Sequence, residues 1–414
     1  MDSISPIIPP ERVARLQIER QWLRDTVIPN NRSDQALLVL ERLGQIQTDP
    51  MNVVGRSEHL ILWSRINTYR PGHLEKLRNP RPQVFEYWTR AASILPMSVY
   101  PLIRPVMNRR RTDHWWPKWV NWWLDSFPDV RKAIGRKIEK QGPMTAGDFP
   151  EEKGKKGWGN WKVSKQGLEA LWTIGELAVY RRRGNEKVFD LTERILPRSI
   201  LNETGLDEWE RIKKLLKLAL RGIGACKVSE LVRHYGHAGW PPERKLGAKD
   251  ISEMARAGWL TLFTITGSKD QWVCLSEDLP LLMEKQKPAL APKMTFLSPF
   301  DNLLWDRNRV RELFSFDYKF EGYTPAAKRR FGCYTMPVLW GNKLIGRINP
   351  KLDRDNKKLV VNGIWFESGI AKGKELIQEL ACTFSRFATF LDAKNVEIVA
   401  TSPKRLRTKL VKLL

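Results

Sequence analysis

Two stretches of the chain repeat one pattern of hydrophobic and polar positions. They run from Gly175 to Pro197 and from Gly258 to Pro280. In each, a second glycine follows the first after nine residues and a proline follows after twenty-two. Apolar residues alternate with polar ones on both sides of the second glycine, a residue that tight turns between strands favour. Each stretch therefore predicts a β-hairpin.

Helical periodicity precedes each predicted hairpin. The predicted helices cover residues 128–141 and 162–174 before the first hairpin, and 207–220, 227–235 and 249–257 before the second. Helices followed by a two-stranded wing are typical of the winged helix, a DNA-binding variant of the helix-turn-helix. A third, more diverged copy is predicted near the N-terminus. It has helices over 10–23, 34–43 and 58–66, the last two with N-caps at Ser33 and Ser57, and the strand-like runs VFEYWTRA and SILPM.

The pattern changes after about residue 290. The four aromatic residues Phe314, Phe316, Tyr318 and Phe320 alternate with polar ones, which predicts a strand. The loop TPAAKRR and the further strand-like runs FGCYTMPVLW, KLIGRIN and KLVVNGIWFES follow. A helix over 373–391 and a last strand, NVEIVATS, end the chain. This pattern predicts a small β-domain, either a barrel or a strongly curled sheet.

The sequence as a whole therefore predicts an α+β protein. The predicted architecture has three tandem winged-helix motifs, followed by a small C-terminal β-barrel domain. The predicted segments are residues 1–125, 126–200, 201–288 and 289–414.

The charge of the chain indicates its class of partner. Lys and Arg number 71 against 46 Asp and Glu, so the 414-residue chain has a formal net charge of +25. Proteins this basic usually bind a polyanion. No run approaches the roughly 20 apolar residues that a membrane helix needs, and no secretory signal is visible. We therefore expect nucleic acid and not a membrane as the partner, a cytoplasmic, nucleoid-associated location, and a monomer.

The sequence offers no metal site. The four cysteines form no CxxC pair, and His234 and His237 have no further candidate ligands nearby. No acidic cluster with histidine has the spacing of a two-metal nuclease. Neither a metal nor another cofactor is expected.

The segment GQIQTDPMNVVGRS, residues 44–57, is the main candidate for chemistry. Gln45, Gln47 and Asp49 lie on one side of it if it is extended. A carboxylate and a carboxamide two residues apart can hold one water, with the carboxylate taking its proton. An ordinary Asx-turn at Asp49 with Pro50 is the alternative, and the residue chemistry alone favours it. Further polar residues of the segment are Asn52, a candidate supporting residue, and Arg56, a candidate DNA contact.

Two basic clusters are candidate DNA contacts. The first lies on the predicted first wing, where three arginines could straddle phosphates or enter a minor groove. The second is the loop TPAAKRR, a stiff basic tip suited to probing a groove. A solvated strand end and an ordinary polar loop are the alternatives. The residues concerned are Arg181, Arg182 and Arg183, and Lys328, Arg329 and Arg330.

Several long stretches resemble the YcaQ/AlkZ family of bacterial DNA glycosylases. They occur in the family's order and span nearly the whole chain. They are QTDPMNVVGRSEHLILWSR, FEYWTRAASILP, LSPFDNLLWDR from Leu297, and YTPAAKRRFG. The resemblance implies three winged-helix motifs in a curved arrangement and a C-terminal β-barrel. It also implies that the tip at Lys328 to Arg330 is a groove-probing hairpin.

The resemblance implies a catalytic motif in the segment 44–57. The family uses Gln–apolar–Gln in one branch and Gln–apolar–Asp in another. The flanking NVVGRSEHL match places Gln47 and Asp49 in the catalytic positions, although Thr48 departs from the apolar middle residue. Gln45, Ile46 and Gln47 satisfy the other pattern literally, so both registers stay open.

The function implied by the resemblance is hydrolysis of the N-glycosidic bond of N7-alkylguanine in double-stranded DNA, including guanines crosslinked between strands. N7 alkylation makes the base cationic and a good leaving group. Asp49 would stabilise the positive charge that develops on the sugar, and Gln47 would hold the water. No lysine nucleophile is needed, so a monofunctional enzyme that leaves an abasic site is expected. A non-enzymatic winged-helix DNA-binding protein or transcriptional regulator is the alternative.

Overall fold

A computed structural model describes residues 6–24, 32–112, 118–149, 163–203, 206–237, 246–284, 293–370 and 373–414. The helices in these ranges, α1 to α17 in chain order, are Pro10–Arg20, Arg32–Leu43, Ser57–Trp63, Pro71–Arg78, Tyr100–Thr112, Lys118–Ser126, Pro128–Gln141, Val163–Thr173, Thr192–Ile195, Arg198–Leu201, Glu208–Ile223, Val228–His237, Ala248–Arg256, Leu279–Met283, Arg307–Phe314, Lys374–Phe390 and Arg405–Val411. The strands, β1 to β14, are Ile7–Ile8, Ile46–Gln47, Val84–Trp88, Ala92–Pro96, Leu177–Arg183, Glu186–Leu191, Ala225–Lys227, Leu260–Ile265, Gln271–Leu275, Met294–Phe296, Met336–Trp340, Lys343–Asp353, Lys358–Phe366 and Asn395–Ile398.

The chain divides into two compact units. Unit 1 comprises Met1–His73, Lys217–Arg233 and Leu246–Leu414, and unit 2 comprises Leu74–Leu216 and His234–Lys245. The chain therefore leaves unit 1 and returns to it, whereas the four segments predicted from the sequence follow one another along the chain. That division into four segments stays a prediction.

Unit 1 contains a five-stranded sheet of order β10-β11-β12-β13-β14. Its first four strands are antiparallel, and β14 joins β13 in parallel. The ladder register shifts at Val338/Leu339 and at Asn349/Pro350. Such irregularities bend strands and increase their twist, and the sheet curls into half a barrel. The predicted β-domain is confirmed as a curled sheet and not as a barrel, since β10 and β14 do not pair with each other within the described residues.

Helix α1 lies in the core of unit 1. Val13 and Leu16 pack in a buried cluster with Phe263 and Trp272 of the β8–β9 hairpin. Ile18, two residues after Leu16, packs in a second cluster with aliphatic and aromatic residues from the C-terminal part of the unit. Strand β1 also pairs in parallel with β8. The N-terminal residues therefore join the second hairpin to the C-terminal part of the same unit.

Unit 2 contains two antiparallel hairpins, β3–β4 and β5–β6. Helix α8 packs between them, and its Trp172 is fully buried. The indole Nε1 of Trp172 donates to the Glu86 carbonyl at 3.0 Å, and the Tyr87 hydroxyl donates to the Thr173 carbonyl at 2.6 Å. These hydrogen bonds tie the β3–β4 hairpin to the helix that precedes β5.

The structure confirms both predicted repeat hairpins, as β5–β6 and β8–β9. It also confirms the hairpin VFEYWTRA–SILPM, as β3–β4, and the helix over 128–141, as α7. The two predicted N-caps are wrong, because α2 begins at Arg32 and α3 at Ser57, so both serines lie inside their helices.

The predicted strand at residues 314–320 is also wrong. Phe314 is the last residue of α15, and the segment that follows pairs with no strand in the described residues. Phe316 and Tyr318 are buried while Asp317 and Lys319 are exposed. The alternation therefore reflects extended backbone on a packed surface. TPAAKRR is consequently not the tip of a β-hairpin but a loop with a short 3-10 turn at Ala326–Lys328.

Candidate active site

The candidate catalytic segment begins where α2 ends. Gly44 has a φ of +75° and its N–H donates to the Leu40 carbonyl at 2.8 Å, a common way to end a helix. A Cβ at Gly44 would lie 2.8 Å from Cγ of Leu218. On α11, a Cβ at Gly222 would lie 2.6 Å from the Leu43 carbonyl oxygen. The two glycines allow α2 and α11 to approach closely at the point where the segment starts.

Two side chains hold the backbone at Gln45, which precedes strand β2, and at Gln47, the last residue of that strand. The Asn302 side-chain amide donates to the Gln45 carbonyl at 2.9 Å, and the Ser57 hydroxyl donates to the Gln47 carbonyl at 2.7 Å. Both glutamine side chains are half-buried, and the Oε1 of Gln45 is buried without a hydrogen-bond partner among the described residues. The backbone of this strand is thus fixed by side chains from two other parts of unit 1.

Asp49 lies two residues after the end of this strand and is 7% exposed. Its Oδ1 accepts from the Met51 N–H at 2.9 Å, so the Asx-turn expected as the alternative is present. Burial raises the pKa of Asp49; the hydrogen bond from Met51 opposes the shift, the charge of Glu58 adds to it and that of Arg56 reduces it. The turn engages Oδ1 of the carboxylate and does not involve the other oxygen, Oδ2. The turn and a chemical role are therefore compatible.

A second buried carboxylate, Glu58, lies close to Asp49. Glu58 is 1% exposed and occupies the first turn of α3. Its Oε1 accepts from Nε of Arg56 at 2.6 Å, and the Arg56 side chain is only 12% exposed. The candidate DNA contact Arg56 therefore neutralises a buried acid inside the unit. The sequence reasoning missed Glu58, although an acidic residue in the first turn of a predicted helix was a visible signal.

The β12–β13 hairpin supports the other end of the segment. Arg354, at its tip, donates from Nη2 to the Asn52 carbonyl at 2.9 Å and to its side-chain oxygen at 2.7 Å. The N–H of Leu352 donates to the Val53 carbonyl at 3.1 Å. Asn52 is exposed and its side chain is engaged by Arg354, an arrangement suited to the supporting role considered from the sequence.

The stretch LSPFDNLLWDR packs beneath the segment. Asp301 forms a fully buried, two-bond ion pair with Arg65 at 2.7 and 3.0 Å. The side-chain amide of Asn302, the next residue, donates to the Gln45 carbonyl. Asp306 accepts from the Arg309 N–H at 2.9 Å and caps α15. These polar residues fix the position of the chain that holds the first glutamine.

Glu321 fixes the end of the loop TPAAKRR. The Glu321 carboxylate accepts the backbone N–H groups of Arg330, Phe331 and Gly332 at 2.9, 2.8 and 3.1 Å. Lys328 and Arg330 are exposed, whereas Arg329 is half-buried and its Nε donates to the Thr324 carbonyl at 2.8 Å. Two of the three predicted contacts therefore present their charge to solvent.

The arginines of the first wing belong to unit 2. Arg181 and Arg183 are exposed. Arg182 is bound to the buried carboxylate of Glu86 by three hydrogen bonds of 2.6 to 3.0 Å. Burial alone would raise the pKa of Glu86, but the guanidinium groups of Arg182 and Arg78 lower it to about 2. Arg182 therefore has an internal partner that the sequence did not reveal.

Two further findings bear on partners. Within the described ranges, no three His, Cys, Asp or Glu residues come together in a way that could hold a metal ion. The side chains of His234 and His237 lie outside the described residues. Among the described helices, none combines the length and apolar character that crossing a membrane requires.

Comparison with known proteins relates these features to a family. A sequence model of the family described as "DNA glycosylase AlkZ-like" matches residues 40–390. The fold is similar to the solved structure of the DNA glycosylase AlkZ from Streptomyces sahachiroi, with a TM-score of 0.60 and 14% sequence identity. The match covers 95% of this chain and 99% of that one. The matched family region includes the whole segment 44–57 and the TPAAKRR loop.

Proposed function

The chain belongs to the AlkZ-like DNA glycosylase family, and from that premise we propose that it hydrolyses the N-glycosidic bond of N7-alkylguanine in double-stranded DNA. The substrates include guanines crosslinked between strands, and the product is an abasic site. The observation that carries the proposal is a buried carboxylate, Asp49, with a raised pKa, two residues after a half-buried carboxamide, Gln47.

The proposed reaction needs only the Asp49 carboxylate and the Gln47 carboxamide. An N7-alkylated guanine carries a positive charge, so the base leaves without being protonated. Positive charge then develops on the sugar, where a carboxylate in a poorly hydrated position stabilises it most effectively. Because the pKa of Asp49 is raised, its carboxylate is also a stronger base towards the attacking water. Gln47 would orient that water, no lysine nucleophile takes part, and the strand stays intact.

The geometry favours the register Gln47–Asp49 over Gln45–Gln47. The Oε1 of Gln45 is buried without a described partner, and Asn302 holds the Gln45 carbonyl. A carboxamide oxygen that has no access to solvent is poorly placed to hold a reacting water. In our proposal Gln45 and Asn52 support the segment, while Gln47 and Asp49 act on the substrate.

We propose that DNA contacts come from exposed cations. Lys328 and Arg330 in unit 1, and Arg181 and Arg183 in unit 2, present their charges to solvent, and the net charge of +25 favours a polyanion. Arg329, Arg182 and Arg56 would act mainly on other parts of the protein. Three winged-helix motifs, a monomeric state and a nucleoid-associated location complete the proposal.

Crosslinked guanines are included for a geometric reason. A base joined to the opposite strand cannot be turned out of the duplex into a deep pocket, as many base-modifying enzymes require. Asp49 lies in a segment whose neighbouring Pro50 and Asn52 are exposed. A site at the surface of a unit can reach a base that stays within the duplex.

The proposal is tested with duplex DNA carrying one N7-methylguanine, incubated without added metal. Alkali-labile breaks at the lesion report base removal. We expect breaks with the wild-type protein, a rate lower by roughly 10²–10⁴ with Asp49→Asn, and a strong loss with Gln47→Ala. Gln45→Ala is the matched control and should keep most of the activity.

The regulator alternative makes a different prediction for the same samples. A protein that only binds DNA would leave every duplex intact, and Asp49→Asn would bind as tightly as the wild type. Tight binding without any base removal, from either the N7-methylguanine duplex or a crosslinked one, would contradict the glycosylase proposal.

A further inference from the structure

One aromatic side chain projects into solvent beside the catalytic segment. Tyr323 is 80% exposed, more than any other large hydrophobic side chain in the described part of the chain. Exposing an aromatic ring forgoes the free energy of burying it. An exposed ring on a fixed support is typical of surfaces that bind another molecule.

The backbone around Tyr323 is held in place by neighbouring residues of the loop. Glu321, two residues earlier, accepts three backbone N–H groups from residues 330–332 and so joins the two ends of the loop. The Thr324 N–H donates to the Glu321 carbonyl at 2.9 Å. The ring of Phe320 lies edge-on to that of Tyr323, with centroids 5.7 Å apart, and Phe300 packs against Phe320 at 5.1 Å. The ring of Tyr323 is therefore presented on a supported loop.

This loop runs against the catalytic segment. A Cβ built on Gly322 would lie 3.2 Å from the methyl carbon of Met51. Met51 is the residue whose N–H binds Oδ1 of Asp49. The charge of the same carboxylate also acts on the Tyr323 hydroxyl. Partial burial raises the pKa of Tyr323, and the charge of Asp49 raises it further. The loop that carries the exposed ring therefore lies against the segment that carries Asp49 in unit 1.

We propose that Tyr323 stacks on the nucleobase at the lesion and positions the damaged nucleotide beside Asp49. The inference rests on the proposed glycosylase function and names the group that would recognise the base. Where the duplex is unstacked at the lesion, a base that is not turned out of the helix offers one π-face to an aromatic ring. An N7-alkylated guanine is also cationic, so the negative face of the tyrosine ring attracts it more strongly than an unmodified base. Tyr323 is thus a substrate-binding residue that favours charged lesions.

The test uses single-turnover base removal from an N7-methylguanine duplex, measured over a range of protein concentrations. Tyr323→Ala and Tyr323→Leu should each raise the half-saturating concentration by roughly tenfold, because both remove the π-face. Tyr323→Phe keeps the ring and should stay within about twofold of the wild type. Leucine is the matched control for apolar bulk, and thermal melting checks that each variant is folded.

The outcomes separate this inference from the proposed function. If the wild type removes the base and all three variants match it, or if leucine restores binding as well as phenylalanine does, stacking by Tyr323 is wrong while the glycosylase function stands. If the wild type removes no base from this duplex or from a crosslinked one, the glycosylase proposal fails. Stacking by Tyr323 is then tested by the affinities of the wild type and of Tyr323→Ala for modified and unmodified duplex. A loss of affinity in Tyr323→Ala that is larger for the modified duplex supports stacking. Equal affinities of the two proteins overturn it.

Discussion

Replacing Arg182 by alanine should destabilise unit 2, although Arg182 lies in a row of three arginines that suggests DNA binding. Glu86 is 4% exposed and binds Arg182 through three hydrogen bonds and Arg78 through one of 2.8 Å. Lowering the pKa of Glu86 from 4.5 to about 2 corresponds to about 3 kcal/mol. Most of the hydrogen bonds belong to Arg182, and a buried charge that loses its partner is costly. We expect a loss of about 2–4 kcal/mol in the free energy of unfolding.

Thermal melting measures this loss. For a unit of this size, each kcal/mol lowers the Tm by roughly 2–4 °C, so Arg182→Ala should melt roughly 5–15 °C below the wild type. Arg181→Ala is the matched control, because Arg181 is an exposed residue of the same strand. Its effect on unfolding should stay within about 0.5 kcal/mol, while its affinity for DNA should fall.

The pH dependence gives a second check. The pKa of Glu86 in the folded state lies below its ordinary value, so the ion pairs stabilise the fold above about pH 4.5. Their contribution is lost as the pH falls towards 2, and the difference between the wild type and Arg182→Ala should shrink over this range. An Arg182→Ala protein that melts like the wild type but binds DNA weakly would refute the structural role and make Arg182 a DNA contact.

Three further predictions concern the site. Burial raises the pKa of Asp49, so the rate of base removal should begin to fall, as the pH is lowered, at a pH above the ordinary pKa of aspartate. Glu58→Gln removes a neighbouring negative charge and should move this fall in rate to lower pH. Rates measured against pH and corrected for spontaneous base loss would test both expectations. Arg354→Ala should lower the single-turnover rate on the order of tenfold without changing the half-saturating concentration, because it removes the hydrogen bonds that hold the backbone at Asn52. Arg354→Lys should restore part of the rate. A change in the half-saturating concentration alone would contradict this positioning role. Lys328→Ala combined with Arg330→Ala should reduce the slope of log affinity against log salt by about 2 if each cation contacts one phosphate, and an unchanged slope would mean that the loop does not contact DNA.

Local sequence patterns predicted much of the secondary structure. The hairpins β5–β6 and β8–β9 are visible because strand alternation and a turn glycine lie within one short stretch. Helix α7 was predicted with its observed bounds, since its apolar residues recur with helical spacing. In these elements the pattern and the hydrogen bonds are both local.

Alternation alone did not reveal hydrogen-bond partners. Phe316 and Tyr318 are buried, yet their segment is extended coil and not the predicted strand. The reason is physical, because period-two burial requires only an extended backbone on a packed surface. A strand also needs a neighbour in register, and that neighbour is set by tertiary packing.

Long-range polar contacts were equally hidden. Arg182 meets Glu86 across 96 positions of sequence, and Arg354 meets Asn52 across 302. The sequence showed which residues were polar or charged, but it did not show which of them neutralise each other. Of the three wing arginines it could not separate the paired one from the two exposed ones. The sequence also singled out the segment that carries Gln47 and Asp49 as the candidate for chemistry, and its catalytic role stays a prediction.

The most direct test of the central claim is the rate at which free base is released. Wild-type protein in excess is mixed with an N7-methylguanine duplex, and chromatography quantifies released N7-methylguanine and intact strand. We predict stoichiometric release of the base, an unbroken strand that carries an abasic site, and a rate for Asp49→Asn lower by roughly 10²–10⁴ at unchanged DNA affinity. Release by Asp49→Asn at the wild-type rate would contradict the assignment of Asp49 as the catalytic carboxylate.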